Sequence, residues 1–506
     1  MAERREPWRP QFHFTPAINW INDPNGLVFF DREYHLFFQY NPFGDTWGHM
    51  SWGHAVSADL VHWHELPVAI AADDATMIFS GSVVVDEHNT AGFAGEGEVA
   101  LVAIYTGAQR REGGLQCQEV AYSVDRGRSW TRYPGNPVLD IGRREFRDPK
   151  VFWHAAHARW VMVVALPDRH QVSIYTSTDL KRWQHLSDFG PAGSVDGIWE
   201  CPDLFEVALD DEPGRSAWVL KVDVGQGHVS GGSGAQYFVG AFDGVRFTPD
   251  ANSTSSAIAP AQWVDFGSDF YAALSWSNLP AHDAGPVWLA WMSAHAYAAQ
   301  TPTSPWRGAM SVPRQLSLRS TPRGLVLCQQ PIEALQQLRA QHWSWSAMTL
   351  VDSERALDVP GGDGRAIEVI ARFAAHSASE FGIKLRIGAG EATVVGFDCA
   401  TQRVFVDRSQ AGRSPAAAGF GGRRHARPVQ PRHGVIELRI LVDWSSVEVF
   451  VGGGEAVITE LIFPSTGSDA LSVYAIGGSV AVDAIEVWQL RSAHSGFSSA
   501  VNQGAP

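Results

Sequence analysis

A short turn signature recurs along the first half of this chain and narrows the folds open to it. It reads Ser57-Ala-Asp-Leu-Val-His-Trp63, then Ser123-Val-Asp-Arg-Gly-Arg-Ser-Trp130, then Ser177-Thr-Asp-Leu-Lys-Arg-Trp183, with a weaker copy at Ala241-Phe-Asp-Gly-Val-Arg-Phe247. The aspartates stand at positions 59, 125, 179 and 243, so the steps are 66, 54 and 64 residues. Each step has room for one four-stranded sheet with its connections. An aspartate accepts hydrogen bonds from the backbone of its own turn, and the ring that closes the signature covers the end of the hairpin. Strand-like runs such as Ala100-Leu-Val-Ala-Ile-Tyr105 and Trp160-Val-Met-Val-Val-Ala165 lie between the copies. Repeating antiparallel units of this size read as blades of a β-propeller. The period runs from about residue 12 to about residue 330, which gives five blades. The fifth begins near Trp263-Val-Asp-Phe-Gly-Ser-Asp-Phe-Tyr271 and continues through Val287-Trp-Leu-Ala-Trp-Met292, without a recognisable copy of the turn.

Three carboxylates keep a similar phase in this repeat. Asp23, in Trp20-Ile-Asn-Asp-Pro-Asn-Gly26, lies 36 residues before Asp59; Asp148, in Phe146-Arg-Asp-Pro149, lies 31 before Asp179; Glu200, in Trp199-Glu-Cys-Pro-Asp203, lies 43 before Asp243. Phe79-Ser-Gly81 fills the matching slot ahead of Asp125. The innermost strand of every blade lines the axis, so a shared phase predicts convergence on one mouth of the central channel.

After residue 330 the texture changes. Pro331-Ile-Glu-Ala-Leu-Gln-Gln-Leu-Arg339 carries apolar residues at 332, 335 and 338, which predicts a short linker helix within 331–342. Alternating strands follow, clearest in Val435–Val442 and Ser446–Val451 around Asp443-Trp-Ser-Ser446, and predict a β-sandwich over 343–492. The whole is then all-β: a five-bladed propeller over 1–330, a C-terminal β-sandwich, and a flexible tail at 493–506. Ala411–Arg432, rich in Gly, Ala, Pro and Arg, reads as a long exposed loop.

Two domains suit 506 residues, and 45% hydrophobic with 18% charged residues is an ordinary globular composition. A net charge of −15 repels phosphate, which argues against nucleic acid and anionic membranes and leaves room for a neutral substrate. Cys117, Cys201, Cys328 and Cys399 are scattered without CxxC spacing, so buried reduced thiols are expected rather than a zinc site or a disulfide framework. Gly225-Gln-Gly-His-Val-Ser-Gly-Gly-Ser-Gly234 lacks the lysine of a phosphate cradle and reads as a blade loop near the pocket. Twenty tryptophans supply flat faces with one polar edge, suited to sugar rings as well as to a β core. Met1-Ala-Glu-Arg-Arg-Glu-Pro-Trp8 has no apolar signal core, so a full-length chain would stay in the cytoplasm, and a mature form would be secreted.

The ordered set Gln11-Phe-His-Phe-Thr-Pro16, Phe38-Gln-Tyr-Asn-Pro42, Phe79-Ser-Gly81, Arg147-Asp-Pro149, Glu200-Cys201, Trp306-Arg-Gly308 and Val447-Glu-Val-Phe450 resembles glycoside hydrolase family 32, the invertases, inulinases and levanases. The resemblance spans nearly the whole chain and implies the same propeller and sandwich. It implies a retaining exo-acting β-fructosidase that needs neither metal nor organic cofactor, with a fructan or fructo-oligosaccharide as its partner. By resemblance Asp23 is the nucleophile, Glu200 the acid/base and Asp148 the transition-state stabiliser. A retaining glycosidase needs one ionised and one protonated carboxyl group about 5 Å apart, so Glu200 is expected to hold its proton near neutrality. Arg147 is expected to keep Asp148 ionised. Asn22 and Gln39 both donate and accept, as vicinal hydroxyls require; Trp47 and Phe79 wall the sugar and Ser80 bonds its first ring. Each also has a structural reading: Asn22 as a turn cap, Gln39 as a strand hydrogen-bonder, Trp47 as blade packing.

The chain departs from the family at Trp291-Met-Ser-Ala-His-Ala-Tyr297, where His295 stands in place of an aromatic wall, and at Ile21, where methionine is usual. The first departure bears on the leaving-group side of the pocket and opens two alternatives: a levan-type fructotransferase, or a hydrolase of a short levan-derived saccharide. A fructan-binding protein without catalysis is the third reading, and the sandwich is a candidate surface for a homodimer.

Overall fold

The structure, a computed structural model, describes residues 6–494 apart from 112, 211, 213, 251–260, 281–284, 323 and 417–418. Most of the tail expected at 493–506 lies outside the described residues. Five antiparallel sheets succeed one another from Asn19 to Pro331. Their innermost strands are Asn19–Phe30, Thr76–Asp86, Arg147–His154, Trp199–Ala208 and Tyr271–Ser275. Each packs beside the next, and the fifth returns to the first. The chain is a five-bladed β-propeller followed by a β-sandwich.

The blades explain why their strands read as unbroken apolar runs. In Arg159–Leu166, Val161 and Val163 face the fourth blade, where they meet Leu220 and Val222. Met162 and Val164 face the second, against Val102 and Ile104. A strand buried on both faces has no polar side to alternate with.

The turn signature closes the third and fourth strands of blades one to four. Asp59 accepts from the backbone N–H of Val61 (2.9 Å) and His62 (2.8 Å), and Asp179 from Lys181 (3.0 Å) and Arg182 (2.9 Å). The indoles of Trp63, Trp130 and Trp183 each donate to a carbonyl three residues back. Blade five joins its last two strands, Arg314–Thr321 and Gly324–Pro331, by a two-residue hairpin, which is too short to hold the signature.

Closure of the ring uses two segments of the fifth blade, the one after its second strand and the one after its first. Trp306 and Arg307 pair in parallel with Asn19 and Trp20. Ser277 exchanges backbone hydrogen bonds with Leu27 (2.8 Å) and Phe29 (3.0 Å).

Glu333–Leu338 forms a 3-10 helix that buries Leu335 and Leu338, and strand Arg339–Val351 starts directly after it. Two six-stranded sheets then face each other around a core that includes Val369, Phe373, Ile383, Phe397, Leu438 and Ile440. The exposed loop expected at Ala411–Arg432 is corrected in part. Arg423–Pro428 is a strand paired with Arg403–Gln410, and Phe420 is buried against Tyr297 and Phe463. A run rich in glycine and arginine hides the one aromatic anchor that draws it onto the molecule.

Buried charge joins the two domains. The His13 ring lies between Asp443 Oδ2 (2.8 Å) and Glu448 Oε1 (2.7 Å). Arg314 binds Glu448 and, at 3.0 Å, Asp265. Arg408 likewise binds Asp269 (2.7 Å) and Glu460 (2.6 Å). The family-like segments around His13 and Glu448 therefore serve the interface between domains rather than the pocket.

Candidate active site

All five innermost strands break register at the same level. Two residues oppose one at Asn22-Asp23, Phe79-Ser80, Asp148-Pro149, Cys201-Pro202 and Ala272-Ala273. A bulge re-aims side chains and interrupts the ladder, so a ring of five bulges turns one level of the channel into a floor of functional groups. Aligned on the bulges, Asp148 is a first bulged residue, Asp23 a second, and Glu200 stands immediately before one. The carboxylates thus share a level to within one residue on either side, and their unequal distances from the turn aspartates reflect hairpin length.

The bulge also sets backbone strain. Asp148 (φ 65°), Cys201 (φ 46°) and Ala272 (φ 56°) are left-handed without being glycine, a conformation costing of order 1–3 kcal/mol each. Neighbouring blades hold Asp148 there: its N–H donates to Thr106 Oγ1 (3.0 Å), and its Oδ2 accepts from the Cys201 N–H (2.9 Å).

The three acids form one cluster. The buried Cys201 thiol lies 3.7 Å from Asp23 Oδ2 and 3.6 Å from Asp148 Oδ2. Asp23 accepts from Ser80 Oγ (2.6 Å) and Asn22 Nδ2 (3.2 Å). Glu200 Oε1 takes two hydrogen bonds from the Arg147 guanidinium (3.1 and 2.9 Å), and its Oε2 accepts from the Tyr271 hydroxyl (2.7 Å).

The charge balance differs from that expected on sequence grounds. Arg147 is aimed at Glu200, Glu145 and Gln116, and its nearest approach to Asp148 is 3.9 Å. Burial dominates at Asp148, whose pKa is pushed up to about 7 despite Arg147, with Glu200 and Asp23 adding to the rise. Arg147 therefore lowers the Asp148 pKa without offsetting the rise that burial causes. Glu200 moves the other way: burial alone would raise it, but Arg147, then His295 and Tyr271, hold its carboxyl below the usual range. The two carboxyls are thus pushed apart, Asp148 toward the protonated form and Glu200 toward the carboxylate.

The remaining expected residues are also present at this mouth. Asn22 Oδ1 accepts from the Trp20 indole (2.8 Å), which orients its amide beside Asp23. Gln39 opposes the first bulge and donates to the Ile78 carbonyl (3.0 Å), so part of its amide is engaged in strand structure. Ser80 holds Asp23. Trp47, 53% exposed, meets Phe79 edge-on at 6.1 Å and forms an open aromatic wall. Tyr271 was not singled out from sequence. Its signal was its place in the fifth blade, matching that of Glu200, and the absent turn copy hid that alignment.

Beside Glu200 opens a cleft of about 650 Å³, bordered by Asp168, His170, Asp196, Gln226 and His295. Gln226 belongs to the glycine-rich stretch, which joins the second and third strands of blade four. His295 packs edge-on against Tyr271, with ring centroids 4.7 Å apart.

Residues 13–331 match the Glycosyl hydrolases family 32 N-terminal domain, and residues 333–489 the family's C-terminal domain. The chain belongs to glycoside hydrolase family 32. Among relatives of this family 32 enzyme, a levanase of Bacillus subtilis (strain 168) is 48% identical over 490 residues, covering 96% of this chain and 71% of the relative. An extracellular exo-inulinase of Aspergillus awamori is 41% identical, covering 96% of this chain and 95% of its own. The crystal structure of an exo-inulinase from Aspergillus awamori superposes with a TM-score of 0.91 at 39% identity, over 97% of this chain and 99% of that one. A β-fructofuranosidase from Schwanniomyces occidentalis, complexed with fructosyl-erythritol, gives 0.85 at 31% identity, over 96% and 98%. This family 32 glycoside hydrolase therefore has full-length counterparts in both domains.

Proposed function

We propose that the protein is a retaining exo-β-fructosidase that releases terminal fructose from levan, inulin or small β-fructosides such as sucrose. The observation that carries this reading is the cluster of Asp23, Asp148 and Glu200, brought by the inner strands of blades one, three and four to one level at one mouth of the channel. Cleavage of a fructofuranoside builds positive charge on the ring while an alkoxide departs, so one carboxylate must attack and another must deliver a proton. Asp23 suits the attack, because Ser80 and Asn22 hold its two oxygens in place. Glu200 suits proton delivery, because it borders the cleft into which a leaving group would extend.

Glu200 must gain its proton as substrate enters. A sugar displaces water from beside Glu200, and Asp23 loses its negative charge on forming the glycosyl ester; the first change raises the carboxyl's pKa and the second lowers it, so desolvation must dominate before bond cleavage. Asp148, Arg147, Asn22, Gln39 and Ser80 would bind the hydroxyls of the terminal ring, with Trp47 and Phe79 as its wall. Exo action is supported by the relatives named exo-inulinases, whose sequence and structure match nearly the whole chain.

The cleft at His295 motivates a second reading in which an acceptor hydroxyl replaces water, giving a fructotransferase. Incubating purified protein with levan, inulin and sucrose tests both. Free fructose supports hydrolysis, whereas elongated or anhydride products support transfer. Inactivity on all three substrates would sink both readings.

A further inference from the structure

The inner strands run on from the bulges to the opposite face of the propeller, where a second cavity of about 390 Å³ opens. That volume falls within the range of small-molecule sites, roughly 300–1,000 Å³. Its walls carry Phe152, Trp153 and Trp218 from blades three and four, with Trp276 from the segment just after the inner strand of blade five. Phe152, Trp153 and Trp218 are half-buried, so each leaves part of a ring face open. The indole of Trp276 is engaged with the His35 carbonyl (3.1 Å). Among the described residues Trp153 and Trp218 are engaged by ring contacts alone, and their N–H donors have no protein acceptor.

The polar groups narrow the ligand. Glu87 and Glu206 stand exposed on walls contributed by different blades, and the Lys150 ammonium closes the inner end, donating to Ser275 Oγ at 3.1 Å and to its carbonyl. Two carboxylates in a chain of net charge −15 disfavour an anion. A cation is disfavoured by Lys150, and by rings that contact one another, Trp153 with Trp160 at 5.0 Å and Phe152 with Trp218 at 5.7 Å, instead of enclosing one point. What remains is a neutral ligand with apolar C–H faces for the rings and hydroxyls for the carboxylates and indole N–H groups.

We infer that this rear cavity is a second, non-catalytic saccharide site, which takes a fructosyl unit of the same material that the funnel degrades. Its ligand class rests on the function proposed above. An enzyme that trims chain ends gains residence on a polymer when a second site holds another strand, because the next end is then met at a raised effective concentration.

The test is calorimetric titration of Glu200→Gln protein with a fructosyl trisaccharide, alone and combined with Trp218→Ala or Glu206→Gln. Two equivalents are expected to bind, and one of them is lost in either combined variant. In the otherwise native enzyme, Trp218→Ala should leave kcat/KM on sucrose within about 2-fold and raise KM for levan polymer several-fold. Glu206→Gln is a minimal change, so it decides the matter if Trp218→Ala does not fold. A single equivalent at saturation, or two equivalents retained in both combined variants, would overturn the inference. Turnover by Glu200→Gln itself bears only on the catalytic assignment, so the two readings fail separately.

Discussion

At the scale of single residues, the acids differ in the company they keep, and their proposed roles follow from it. Glu200→Gln keeps the shape but cannot donate a proton, so kcat should fall about 10²–10⁴-fold on sucrose. Activity should recover largely on an aryl β-fructoside, whose leaving group needs no proton. Asp23→Asn should lose activity on both substrates, and recovery of Asp23→Asn on the aryl substrate would contradict its assignment as nucleophile. Arg147 stabilises the carboxylate of Glu200, the form useless for donation. Arg147→Met should therefore raise the Glu200 pKa and move the alkaline limb of the kcat/KM profile to higher pH, even as the maximum drops. A limb that stayed in place would show that Arg147 does not set this titration. Sequence placed the acids correctly on one mouth, but adjacency in the chain misled about charge: Arg147 sits next to Asp148 in sequence, whereas the left-handed backbone at Asp148 sends the two side chains to different partners.

The decisive element is the bulged inner strand. Each bulge needs its neighbours to tolerate close backbone approach, and one such contact beside Asp23 is at Gly308. Gly308 has φ 93°, and a Cβ there would lie 2.3 Å from the Ile21 carbonyl oxygen. Gly308→Ala should thus cost about 1–3 kcal/mol and shift the strand carrying Asn22 and Asp23. Thermal unfolding and sucrose kinetics should both register it, and an unchanged Tm with unchanged kcat would show that the closure is not tight. The turn signatures made the blades legible because an Asp that binds its own backbone is local chemistry. Bulges were not legible, since an extra residue in one strand has meaning only against the partner strand it fails to pair with.

At the scale of the whole molecule, the propeller and sandwich are joined by charges removed from water. Burial would lower the His13 pKa, but hydrogen bonds and charge from Asp443 and Glu448 outweigh it and raise it to about 9. Between pH 6.5 and about 9 the folded state therefore holds a proton that the unfolded chain has released. Stability from this group is fully present below pH 6.5 and declines as pH rises to about 9. Denaturant unfolding at pH 6 and pH 9 should show the loss, and His13→Gln should flatten it; an equal slope in the variant would assign the effect elsewhere. Glu448, held down to about 2 chiefly by Arg314 against the cost of burial, is the partner whose loss strands charge. Glu448→Ala should destabilise by about 3–5 kcal/mol.

The amino-acid order by itself determined the blade period and the apolar strands, because both are written in local patterns of turn chemistry and burial, and it marked the three acids as candidates by their phase in the repeat. Tertiary structure alone decided that burial raises Asp148 while Arg147 lowers Glu200, that Tyr271 joins them, and that His13 and Glu448 hold the domains together rather than the substrate. Those properties depend on distance, desolvation and the direction of side chains brought together by ring closure, and none of these quantities exists along an unfolded chain.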